Sequence, residues 1–93
     1  AGFIHTSSLN AIASFDTRPL KSRHLIVHHK MDSCSGTRFD SAESSHRSYG
    51  TALVAMEGGV SVGGACEAYA HHGFNGIEQA TVDRIAAWIV DGK

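Results

Sequence analysis

The stretch that most restricts the fold is a short strand without a polar face. Leu25, Ile26 and Val27 stand in a row between His24 and His28. Successive side chains of a strand point to opposite faces, so a strand that is apolar at consecutive positions must be covered on both sides. That is the environment of an inner strand in a parallel α/β sheet, and the rest of the chain is read around it. Residues 2–6, Gly-Phe-Ile-His-Thr, form a second apolar and β-branched run that predicts a strand. Residues 8–15 carry Leu9, Ile12 and Ala13 at the spacing of one or two helical turns, and residues 16–21, with the only proline, read as a loop.

Beyond the central strand, residues 31–36 are a polar loop. Asp40-Ser41-Ala42-Glu43 then has the cap-x-x-Glu spacing that satisfies orphan amides at a helix start, predicting a helix to about Tyr49 closed by Gly50. Residues 52–57 predict the third strand, and residues 58–64 hold four glycines and must be loop. The last segment predicts a helix capped by Asn75 with Glu78 as reciprocal partner. Its apolar face would carry Ile77, Thr81, Val82, Ile85, Trp88 and Ile89, and Gly92 would end it. The order strand, loop, strand, helix, strand, loop, helix implies one domain over residues 1–93. Its fold class is α/β, a three-layer-type parallel sheet of about three strands with helices and right-handed crossovers.

Charge and hydropathy exclude several function classes. Eight Lys and Arg against nine Asp and Glu leave a net charge of -1 with no basic cluster, which argues against a nucleic-acid partner. The longest apolar run, residues 85–90, is far short of the roughly 20 residues that cross a bilayer, so no membrane segment is expected. No basic region followed by an apolar stretch opens the chain, so no signal peptide is visible. Charged residues make up 18%, below the roughly 25% typical of globular domains, which suggests surface covered by a partner. Cys34 and Cys66 could be a bridge, half of a metal site or two core thiols.

Chemistry concentrates in the histidines. There are seven, four of them in the adjacent pairs His28-His29 and His71-His72. In a parallel sheet, reacting groups gather in the loops beyond the carboxyl ends of the strands, where both pairs fall, and Asp32 stands in the first of these loops. A carboxylate after one strand and a histidine after the next is the second half of the Ser, Asp, His order of α/β-hydrolases. Residues 25–34, Leu-Ile-Val-His-His-Lys-Met-Asp-Ser-Cys, resemble the strand and acid loop of that superfamily. Residues 66–78, with His71-His72-Gly73-Phe74-Asn75-Gly76-Ile77-Glu78, resemble its histidine loop and last helix, and residues 2–8 resemble the strand downstream of the nucleophile.

The resemblance covers nearly the whole chain and implies the C-terminal half of an α/β-hydrolase fold. Carried over, it makes Asp32 the triad acid and His72 the general base, with His71 as the fallback. An imidazole with a pKa near 6.5 takes the serine proton while a buried carboxylate fixes its tautomer. The resemblance also brings the loops of Asp32 and His72 side by side and so implies a Cys34–Cys66 disulfide. Such a bridge would place the chain outside the cytoplasm, and its absence inside.

The superfamily pattern breaks at the nucleophile. Gly59-Val60-Ser61-Val62-Gly63 has the letters of a Gly-x-Ser-x-Gly elbow, but it follows Asp32, lies close to His72 in sequence and sits among glycines with no helix start behind it. Ser7 and Ser8 follow a strand without flanking glycines and read as helix-capping or loop hydroxyls. The expectation is therefore a hydrolase-derived domain, inactive alone and active on esters only if a separate nucleophile-bearing half complements it. The alternative is a non-catalytic oligomeric module that self-associates through the edge of the first strand. A third class, metal binding by His28, His29, Asp32, Cys34, Cys66, His71 and His72, lacks any zinc-type ligand spacing, so no cofactor or metal is expected.

Overall fold

A computed structural model describes residues 2–92. Three strands, β1 (Gly2–Thr6), β2 (Arg23–His29) and β3 (Ala52–Met56), form a parallel sheet in the order β1-β2-β3. The register pairs Thr6 with Val27 and Val27 with Val54. β2 is the middle strand, and Leu25 through His29 are all buried, as a strand without a polar face requires. It is one residue longer at each end than the expected run from His24 to His28, whereas β3 stops at Met56, one residue short of the expected end.

The two faces of the sheet carry separate cores. Leu25 and Val27 pack with Val54, Met56, Phe74 and Trp88 on one side, and Ile26 packs with Ile12 and Ala42 on the other. Burying each of the three central side chains of β2 contributes about 1.5–3 kcal/mol, which makes this strand the organising element. Two helices cover the sheet, α1 (Phe39–Tyr49) through Ala42 and α2 (Glu78–Asp91) through Trp88.

The buried face of α1 is made of small residues, Ser41, Ala42 and Ser45, which let the helix lie close to the sheet. Their hydroxyls need partners: Ser41 bonds Asn10 Oδ1 and Ser45 bonds Thr51 Oγ1. The capping box expected at Asp40 and Glu43 does not form. The helix starts two residues earlier, with Arg38 rather than Asp40 at the cap position and no local side-chain cap. The Arg38 amide instead donates to Asn10 Oδ1 at 2.7 Å, from a 3₁₀ turn (Asn10–Ser14) that replaces the expected helical turns at residues 8–15. A distant side chain supplies the cap, which local spacing cannot show. Gly50 ends the helix at φ 71°, as expected.

α2, by contrast, begins later than its capping pattern indicates, with Ile77 rather than Asn75 at the cap position. Glu78 reaches back to the Gly76 amide at 2.9 Å rather than to Asn75, whose side-chain amide donates to the Tyr69 carbonyl. Thr81 and Trp88 are buried, and Ile77 and Ile85 pack against the core, but Val82 and Ile89 are 57% exposed. The expected apolar face is thus too wide, because a three-stranded sheet offers the helix only a narrow strip to cover. Arg23 lies over the Trp88 ring at 4.2 Å and donates to its carbonyl, tying α2 to the start of β2.

Candidate functional site

The carboxyl ends of the three strands converge on one cluster. After β2 the chain turns sharply, with the Asp32 amide donating to the His29 carbonyl and the Lys30 amide to Met56 at the end of β3. This turn buries the Asp32 side chain completely. Its Oδ1 accepts the Cys34 amide at 3.0 Å, an Asx turn that fixes the carboxylate against its own loop.

His72 arrives from the other side, in a short 3₁₀ turn (His71–Gly73) that follows the long loop after β3. Its Nδ1 lies 3.1 Å from Asp32 Oδ2, and its side chain is 22% exposed. The structure therefore brings together the two residues singled out as acid and base. A carboxylate oxygen facing Nδ1 requires the proton there, which leaves Nε2 as the basic nitrogen. That is the tautomer a general base needs.

Three further residues join the cluster: Thr37, which the sequence did not point to, and His28 and Ser7, whose parts in it the sequence did not show. His28 is fully buried, and its Nε2 stands 3.0 Å from Asp32 Oδ2 and 2.6 Å from the Thr37 carbonyl. Both neighbours accept, so Nε2 donates, and its Nδ1 is buried without a partner among the described residues. The Thr37 hydroxyl is 3.0 Å from Asp32 Oδ2 and 3.0 Å from His72 Nδ1. The Asp32 carboxylate thus accepts from the Cys34 amide, the Thr37 hydroxyl and His72 Nδ1, with the His28 ring as a further close neighbour.

Ser7, at the end of β1, donates its hydroxyl to the His72 carbonyl at 2.6 Å. It takes φ 47°, a region that non-glycine residues seldom enter, while its amide continues the ladder to Val27. Ser7 is a loop hydroxyl, not a helix cap, and it holds the histidine turn from below. Gly73 serves the same turn: a Cβ there would run into the Ala68 carbonyl, so only glycine lets the two segments approach.

Cys34 and Cys66 form a disulfide, with Cα atoms 4.8 Å apart. It joins the acid loop to the segment leading into His72. The thiolates are therefore not available as metal ligands, and among the described residues no group of three or more His, Cys, Asp or Glu could hold a metal ion. His29 donates through Nε2 to the Gly58 carbonyl and accepts the Met31 amide at Nδ1, a fully bonded role that braces the two loops. His71, the fallback base, stacks on His29 at 4.3 Å and does not contact Asp32, and its Nδ1 is buried without a partner among the described residues.

Ser61 lies in the glycine-rich loop, where its hydroxyl accepts the His71 amide at 3.3 Å. No helix follows it before the histidine turn, so the loop lacks the strand-to-helix geometry of a nucleophile elbow. No helix among the described residues is long and apolar enough to cross a membrane. Comparison of the chain with protein-family models, curated proteins and solved structures found no match.

Proposed function

We propose that this chain is the acid-and-histidine portion of an α/β-hydrolase-type ester hydrolase, inactive alone and dependent on a nucleophile carried by another segment or chain. The observation that carries this reading is the 3.1 Å contact between Asp32 Oδ2 and His72 Nδ1, made by residues from successive loops beyond the carboxyl ends of a parallel sheet. Acid precedes histidine in the chain, as in that superfamily. His72 would take the proton of an incoming serine hydroxyl at Nε2, and Asp32 would stabilise the imidazolium that forms. Ser61 has no part in this chemistry. The purified chain should therefore show no turnover of an activated ester above the imidazole background. Turnover abolished by Ser61→Ala would overturn the reading.

A second reading rests on the open edge of the sheet. Among the described residues β1 pairs only with β2, and Phe3, Leu9 and Phe15 beside it are 55%, 70% and 41% exposed. A groove of about 720 Å³ runs along this edge, with Ile4, Ser7, Leu9, Ile12 and Phe15 among its walls. An unpaired, uncharged edge of this kind invites another strand. Its occupant is either a second copy, giving a non-catalytic oligomeric module, or the missing nucleophile strand, giving an enzyme. Ester turnover on adding a nucleophile-bearing segment supports the second, and a stable dimer that excludes that segment supports the first.

A further inference from the structure

We propose that Thr37 is a positioning residue of the Asp32–His72 pair, its hydroxyl enforcing the histidine tautomer; this rests on the reading of that pair as acid and base. The Thr37 Oγ1, Asp32 Oδ2 and His72 Nδ1 atoms lie 3.0, 3.0 and 3.1 Å from one another. A hydroxyl has one proton to give and two lone pairs to offer. The carboxylate oxygen only accepts, so the Thr37 proton points to Asp32. What Thr37 then presents to His72 is a lone pair, and Nδ1 must donate. Two acceptors, at 3.0 and 3.1 Å, therefore hold the proton on Nδ1 and leave Nε2 basic.

Thr37 is itself held on both sides. Its amide donates to the Cys34 carbonyl at 3.1 Å, and its carbonyl accepts from His28 Nε2 at 2.6 Å. The residue is buried, and its β-branched side chain has few rotamers to choose from. His28 donates its N–H to this carbonyl and stands 3.0 Å from Asp32 Oδ2, so one buried ring packs against both the backbone that aims the hydroxyl and the carboxylate that receives it. Without the hydroxyl, the imidazole keeps a single contact and is freer to turn about its own bond.

The test is nitrogen-15 NMR of histidine-labelled, disulfide-intact protein at about pH 8, above the ordinary histidine range. The wild-type chain should show His72 as the Nδ1–H tautomer with a slowly exchanging ring proton. Thr37→Val should speed exchange of that proton about tenfold, the scale of one lost hydrogen bond, and reveal the Nε2–H tautomer. Thr37→Ser should restore the wild-type signature. Thr37→Ala removes the hydroxyl without adding a methyl group and separates this effect from misfolding. An unchanged His72 spectrum in a folded Thr37→Ala chain overturns the inference. If Asp32→Asn disturbs the tautomer while Thr37→Ala does not, only the Thr37 role falls. If neither disturbs it, the acid–base reading of the pair falls as well.

Discussion

Reducing the disulfide should loosen the whole domain and the site together. The bridge closes a segment with a sequence separation of 32, from Cys34 to Cys66, that contains α1, β3 and the whole glycine-rich loop. For a loop of that size the chain-entropy model gives about 3–4 kcal/mol of stabilisation. A domain of this length has roughly 5–14 kcal/mol in all, so the bridge accounts for a large share. At about 4–8 °C per kcal/mol for small domains, the Tm of a Cys34→Ala/Cys66→Ala double variant should fall by on the order of 15–25 °C. Circular dichroism melts of the oxidised, reduced and doubly substituted chains measure this directly. Near-ultraviolet spectra should report loosened packing around Trp88 in the same variants. A double variant that melts within a few degrees of the wild type would refute the reasoning, because the hydrogen bonds between the two loops would then suffice alone.

Acid should weaken the fold through His5. Burial first, and the neighbouring His24 second, lower its pKa below 6.5, so the folded state favours the neutral ring. The unfolded chain binds the proton first as pH falls, so this contribution is full above about pH 6.5 and declines below it, through the lower folded pKa. Urea midpoints at about pH 7.5 and 5.5 should show a drop that His5→Phe reduces, and equal drops in both chains would contradict the assignment. Gly73→Ala should cost on the order of 1–3 kcal/mol by forcing the histidine turn away from Ala68, read as a lower urea midpoint; no change would mean that the turn is looser than described. The open β1 edge should make the chain a dimer or larger at tens of micromolar, and Leu9→Lys, at an exposed position, should shift it towards monomer. Sedimentation showing only monomer for the wild type would count against that interface.

Much of the sheet was legible because its signal is local. The apolar run of β2 and the glycine stops at Gly50 and Gly92 appear in the sequence as they do in space. The helix starts were not, because their partners lie elsewhere: Asn10 caps α1 from 28 residues away, and Asn75 turns to Tyr69 instead of capping α2. The extent of the α2 face was overread at Val82 and Ile89, since periodicity gives the phase of a face but not the width of the sheet beneath it. The pairing of Asp32 with His72 was an expectation of the α/β-hydrolase resemblance, with chain order and strand ends in support, and the two side chains do meet. Thr37 was not legible, and the parts played by His28 and Ser7, noted only as a strand-end histidine and a loop serine, were not either, because these roles exist only once the backbone brings the three within 3.0 Å or so of their partners.

The central claim is that Asp32 and His72 form the acid–base half of an ester-cleaving site, and complementation tests it most directly. The chain would be combined with a separately prepared strand–helix segment bearing a Gly-x-Ser-x-Gly elbow and assayed on an activated ester. Turnover that needs both parts should appear. It should fall by on the order of 10⁴-fold in Asp32→Asn and comparably in His72→Gln, the losses expected when a triad loses its orienting acid or its base. No serine-dependent turnover from the combination, or turnover that survives both substitutions within about threefold, would contradict the account.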